Sequence, residues 1–452
     1  MPPTRRTFLT GLAGTSALAA LSACSTVHSG AAGTTASTGS TAQVGAKASL
    51  GPQKGTIDFA FWGGSDGETR GFQHAKAGFE AANPGATVNL KVVPFDGFFA
   101  GIDRGLQSGT APDVWRVDYT TLGKYSSKGV LLDMTPYFAD DEVKAFLPAL
   151  WEAVKYQGVP FGVPHQTDTS CIVFDKAAFA DAGITSVPDK LEDAWSWDEF
   201  ADVAKKLRNT LSADRFPFAY NWTQAGAYRW LSWHYEAGGH LLNDKLDGSA
   251  FASDAASRSL DFTTSFFKNK WVPDTNTVKT SKYSDDFFMS KLVAMSFVGD
   301  FLVPNLADPS AGYAGDWGAT YLPRDQKGAA DLGGNAIVAR EDSPNADLAA
   351  AFLKYLVSSD EMKYFCEQAV ELPTLSALAD ADLQYAYRPD VVKICAEQAS
   401  TITDTIVRET TVPAFNVINT GLQDQLELAF TGTATDQVVK AIDDVVNKAL
   451  VG

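Results

Sequence analysis

Trp62 ends the apolar run Phe59-Ala60-Phe61 and is followed at once by Gly63-Gly64-Ser65-Asp66. A flat ring beside closely approachable backbone, a hydroxyl and a carboxylate has little structural use. It suits an edge that grips a ligand, with a face for stacking and oxygens for hydrogen bonds. Asp118 and Tyr119 repeat the combination after Val114-Trp115-Arg116-Val117. Tyr220-Asn221-Trp222 does so in a polar, glycine-bearing stretch, where Trp222 reads as a loop residue available to a ligand. Asn335 follows Gly333-Gly334 and precedes the apolar Ala336-Ile337-Val338.

Patterns for catalysis are missing. The five histidines are His28, His74, His165, His234 and His240, and none sits in an H-E-x-x-H helix. There is no G-x-S-x-G elbow and no Walker loop. Gly63-Gly64 could cradle a phosphate, but Asp66 and Glu68 would repel it. Acidic pairs such as Asp285-Asp286 could serve glycoside hydrolysis, yet 54 Asp and Glu produce such pairs by chance. No C-x-x-C spacing supports zinc, and neither a metal nor a cofactor is expected. Cys366 and Cys395 could pair in an oxidising compartment or remain buried thiols.

The candidate residues sit at the ends of expected strands. Ile57, Phe59 and Phe61 alternate as a strand. Phe72, Ala75 and Phe79 mark a helical face that Asn83-Pro84-Gly85 stops. Val88, Leu90 and Val92 form a second strand, Phe99, Ile102 and Leu106 a second helical face, and residues 113–117 a third strand. This β-α-β-α-β order predicts an α/β fold with a parallel, doubly wound sheet, whose ligands lie beyond the carboxyl ends of the strands. Trp62 and Asp118 occupy that end. A capping box at Ser196 to Glu199 opens a later helix, and Trp230 and Trp233, three apart, are expected to face a helix core. Residues 292–297 read as a strand that breaks at Gly299-Asp300, and 345–367 as a long helical region.

At 452 residues the chain is long enough for two lobes of about 150–200 residues each. Its net charge of −17 argues against nucleic acid and against electrostatic docking on anionic lipid. Thr4-Arg5-Arg6-Thr7-Phe8-Leu9 is a twin-arginine pattern. An apolar run follows, then Leu21-Ser22-Ala23-Cys24, which is similar to a bacterial lipobox. Residues 1–23 are therefore expected to be a signal peptide, with Cys24 lipidated. Residues 24–54 are expected to be a flexible tether holding the body roughly 30 Å from the membrane.

Several motifs in order resemble the extracellular solute-binding proteins of ATP-driven importers, in particular the sugar-binding group related to maltodextrin-binding protein. They are Gly109-Thr110-Ala111-Pro112-Asp113-Val114, the run from Tyr156 to Pro164 followed by Ile172 to Lys176, Trp195 to Phe200, Lys291 to Met295, and Leu372-Pro373-Thr374. The resemblance runs from about Thr56 to the C-terminus. It implies two α/β lobes joined by a hinge with a ligand cleft between them, residues 55–165 and 332–373 in one, 166–331 and 374–452 in the other. It also implies a sugar ligand and a membrane permease as partners, no enzymatic activity, and a lipid-anchored monomer on the outer face of the membrane. It adds Asp168 as a hydroxyl acceptor and Phe301, beside Asp300, as a stacking ring. Asn419 falls near where a binder of long sugars would place a tryptophan, which argues against an extended maltodextrin. A glycerophosphodiester or polyol ligand is the alternative, with Arg116 or Arg388 as its cation. An exported carbohydrate-active enzyme is the more distant one.

Overall fold

The alternation at Ile57, Phe59 and Phe61 forms strand β1 (Lys54–Phe61), with all three side chains fully buried. The computed structural model describes residues 50–452 other than 224 and 225, so the twin-arginine segment, Cys24 and the tether through residue 49 lie outside the described residues. Helix α1 (Asp66–Ala82) turns Phe72, Ala75 and Phe79 inward and ends at Asn83. Strand β2 (Gly85–Val92), helix α2 (Phe98–Ser108) and strand β3 (Val114–Asp118) follow. β1 pairs in parallel with both β2 and β3, as the β-α-β order requires.

The remaining principal strands are β4 (Val163–Gln166), β5 (Ser170–Asp175), β6 (Phe216–Ala219), β7 (Val293–Gly299), β8 (Trp317–Thr320) and β9 (Asn335–Ala339). They build two sheets, β2-β1-β3-β9-β4 and β8-β5-β7-β6, which are the cores of two α/β lobes. Neither sheet is wholly parallel, contrary to expectation. β9 runs antiparallel to β3 and β4, and β5 antiparallel to β7 and β8. The cause is topological. The chain enters β9 and β5 from the other lobe, at the sheet edge facing the gap, and a strand entering there must run away from it.

Three stretches carry the chain across that gap, side by side. Thr167 exchanges backbone hydrogen bonds with Leu372 (2.9 and 3.0 Å). The Thr167 hydroxyl donates to the Gly333 carbonyl at 3.1 Å, and the Thr169 hydroxyl to the Asp331 carbonyl at 3.3 Å. Gly334 lies in this weave at φ +97°, and a Cβ there would sit 2.4 Å from the Thr167 Cα. Gly334→Ala is therefore expected to cost roughly 2–3 kcal/mol, read as a lower urea midpoint, because both clashing strands are hydrogen-bonded in place.

One sequence expectation shifts in detail, and two others hold. The helical stretch 345–367 is two helices, Ala346–Leu356 and Ser359–Ala369. Ser196 caps the helix Trp197–Thr210 with Glu199 reaching back, as expected, and Trp230 and Trp233 are both buried in the core.

Candidate functional site

Between the sheets lies a cavity of about 780 Å³. Its first wall is the loop after β1. Ser65 caps α1: its hydroxyl accepts from the Glu68 N–H at 3.1 Å, and the Glu68 carboxylate accepts from Ser65 N–H at 3.1 Å and from Gly64 N–H. The other Glu68 oxygen takes the Arg116 guanidinium at 2.6 Å, and Arg116 also donates to the Trp62 carbonyl at 3.1 Å. Arg116 is only 1% exposed, and its guanidinium lies 4.7 Å from the Trp62 ring centre. Trp62 is further held edge-on by Phe95 and Phe98, at 5.0 and 5.1 Å. Thus Trp62 is gripped on several sides and still lines the cavity. The glycines beside it turn the chain from strand to capped helix within a few residues.

The floor comes from strand register. Asn335 on β9 pairs with Asp118 at the end of β3 and with Gln166 at the end of β4. With its amide oriented to suit its neighbours, Asn335 donates to Asp118 Oδ1 and accepts from Arg116, each at 3.0 Å. Asp168 follows on the crossing, and one of its oxygens is buried without a hydrogen-bond partner. Glu371, on the third crossing, also lines the cavity, and one of its oxygens is buried without a partner. The second lobe contributes Tyr228, Arg229 and Phe301. Arg229 pairs with Asp331 at 3.6 Å and lies over the rings of Tyr228 (4.7 Å) and Phe301 (5.9 Å).

Of the candidates read from the sequence, Trp62, Gly63, Ser65, Asp118 and Tyr119 line this cavity from the first lobe, Asp168 and Asn335 from the crossings, and Phe301 from the second lobe. The Tyr119 hydroxyl is already engaged, donating to the Gln166 carbonyl at 3.0 Å. Four candidates lie off the wall. Asp66 is exposed in the first turn of α1, where a carboxylate favours the helix dipole. Tyr220 spends its hydroxyl on the Arg229 carbonyl (2.9 Å). Trp222 is not an accessible loop residue: it packs on Tyr220 and Phe430 at 4.6 and 5.6 Å and is 2% exposed. Asp300 is fully buried behind the crossing, where it accepts from Thr169 N–H at 2.9 Å. Arg388 is stacked on Trp317 at 3.8 Å and paired with Asp390, away from the cavity. Arg229 and Glu371 were missed. An arginine between Tyr228 and Trp230 in an acidic chain, and an acid beside Leu372-Pro373-Thr374, were the available signals.

Burial dominates the electrostatics. It pushes the Asp118 carboxyl up to about 7 against the pull of Arg116, and Asp168 up to about 6 against the pull of Arg229. Glu371 is driven well above the usual carboxylate range by burial and then by Asp300. A carboxyl whose folded pKa is raised adds stability below its unfolded pKa and loses it as pH rises through the folded value. Buried His165 and His234, lowered to about 3 and 4 by desolvation, act oppositely as pH falls through about 6.5. Between pH 7.5 and 6.5 the two effects oppose each other, because an unfolded histidine is already half protonated at about 6.5. Over that range Asp118 alone adds about 0.7 kcal/mol on acidification, read as the difference in slope between wild type and Asp118→Asn in urea titrations.

Flat rings and inward-facing acids and amides, held in a gap between two lobes crossed by three strands, define a two-lobed binding protein. The chain belongs to the bacterial extracellular solute-binding protein family, whose model matches residues 64–363. It is 22% identical over 316 residues to a putative binding protein of Brucella abortus, covering 69% of this chain and 74% of that one. Among solved structures, an ABC substrate-binding protein of Listeria monocytogenes in complex with cycloalternan superposes with a TM-score of 0.74 at 21% identity, covering 88% of this chain and 99% of that one. An ABC transporter solute-binding protein of Thermotoga lettingae bound with α-D-tagatose gives a TM-score of 0.70 at 25% identity, covering 88% and 100%. No helix among the described residues is long and apolar enough to cross a membrane. Nor is any group of three His, Cys, Asp or Glu among them arranged to hold a metal.

Proposed function

We propose that this chain captures a neutral, hydroxyl-rich carbohydrate, a monosaccharide or short oligosaccharide, and hands it to the membrane permease of an ATP-driven importer without catalysis of its own. One observation carries the reading: a cavity of about 780 Å³ whose lining combines the Trp62 and Phe301 rings with the carboxyl groups of Asp118, Asp168 and Glu371. A sugar has apolar C–H faces for the rings and hydroxyls that donate to carboxyl oxygens. The tagatose-bound relative supports the substrate class. We further propose lobes of residues 55–165 with 332–373 and 166–331 with 374–452, lipidation at Cys24 after export, and a monomer on the extracytoplasmic face of the cell membrane.

The cations of the wall are already engaged, which disfavours a phosphodiester. Five carboxyl groups, on Glu68, Asp96, Asp118, Asp168 and Glu371, face two guanidinium groups. Both guanidinium groups already have partners, Arg116 in Glu68 and Arg229 in Asp331. Calorimetry with mono- and disaccharides, a polyol and a glycerophosphodiester tests the reading, with each incubated sugar chromatographed for products. Heat from a sugar that is recovered intact is expected. Heat from the phosphodiester alone, or released product, would replace the reading.

A further inference from the structure

Cys171 and Cys395 stand 224 positions apart in the chain, yet their sulfur atoms are 3.0 Å apart. Cys171 lies on β5, which leaves the first crossing, and Cys395 on the helix Pro389–Ala399, reached after the third. Both are fully buried in one apolar cluster with Val173, Val298, Val391 and Val392. Cys366, which the sequence suggested as the partner of Cys395, lies instead in the cluster beneath the first sheet, among Phe72, Met362 and Phe365.

We propose that Cys171 and Cys395 are joined by a disulfide in the exported protein. A disulfide needs its sulfurs about 2.05 Å apart, so the pair stands about 1 Å from bonding distance. A thiol is a weak donor and a weak acceptor, so a hydrogen bond alone gives little reason to hold two sulfurs this close. The family is extracellular, where such bonds form and persist. The oxidant is a protein or small-molecule disulfide met during folding, before the pair is covered. One cysteine thiolate attacks it, giving a mixed disulfide and releasing one oxidant thiolate. The second cysteine thiolate then displaces the other. One S–S bond forms and one breaks, two electrons pass to the oxidant, and it leaves as two thiols carrying the two protons. The bond staples together two distant chain segments of the second lobe. Neither sulfur lies on a crossing, so the staple leaves the hinge unconstrained.

The full chain, recovered from an oxidising compartment, is unfolded in N-ethylmaleimide without reductant, digested and mapped by mass spectrometry. The expected result is a linked peptide pair containing Cys171 and Cys395 that dithiothreitol separates, with Cys366 alkylated. Alkylation of both Cys171 and Cys395, or a link to Cys366, would overturn the proposal. Reduction of the intact protein is also expected to lower its melting temperature by on the order of 5 °C, an effect absent from Cys171→Ser/Cys395→Ser. An equal shift in that variant would count against the bond. Should the variant fail to fold, the peptide map of the natural chain decides.

Discussion

Arg116→Met lowers the unfolding free energy by about 3–5 kcal/mol, the effect expected when one partner of a buried ion pair is removed. Glu68 is then left 4% exposed with no cation, and only the N–H groups of Gly64 and Ser65 still face its carboxylate. The Trp62 carbonyl loses its donor, and the Trp62 ring loses the guanidinium beneath it. Glu68→Gln in the same chain should recover much of the loss, because the amide needs no counter-charge. Urea unfolding of wild type, both single variants and the double variant measures the coupling. Additive losses would mean that Arg116 and Glu68 act separately, and that the cap of α1 does not depend on the strand beside it. The pair matters for function because it fixes the cavity wall: α1 begins, and Trp62 stops, where Arg116 reaches both.

That pair also marks the limit of what the chain could be read for. The strands β1 to β3, the faces of α1 and α2 and the Ser196 cap follow from local periodicity and turn chemistry, which act over a few residues. Strand-end position then led to Trp62, Asp118 and Asn335. Glu68 was legible only as an acid near a glycine turn, because its partner is 48 positions away on β3. Trp222 failed for the same reason in reverse. Its neighbours in sequence are polar, but the ring that covers it, Phe430, arrives from more than two hundred residues later. Arg229 and Asp331 meet only because one chain crosses the gap three times. The antiparallel run of β9 has the same origin: local pattern shows that a strand exists, and the crossing decides its direction.

Asp168→Asn separates two roles open to this residue, ligand acceptor and hinge support. In the hinge role, losing the charge would weaken the crossing. The crossing is nevertheless held by backbone hydrogen bonds and by the Thr167 and Thr169 hydroxyls. The Asp168 carbonyl accepts from Gly333 N–H at 3.1 Å, and its neighbour Thr167 bonds to Leu372, all of which an asparagine preserves. Arg229 keeps Asp331 at 3.6 Å. The buried carboxyl is itself a burden at neutral pH, its pKa having risen to about 6. Asp168→Asn is therefore expected to leave stability at pH 7.5 unchanged or slightly higher. Sugar affinity should fall about 10- to 100-fold, the loss of roughly 1.5–3 kcal/mol for a hydrogen bond to a charged acceptor. Trp62→Ala should also cost affinity, about tenfold or more through the lost stacking face, and it should cost stability as well because Phe95 and Phe98 pack on the ring. The decisive pattern is the contrast: an affinity loss without a stability loss at Asp168, and both together at Trp62, measured by calorimetry and urea unfolding on the same preparations. Lower stability with unaltered affinity at Asp168 would make it a hinge residue and leave Glu371 as the acceptor to test next.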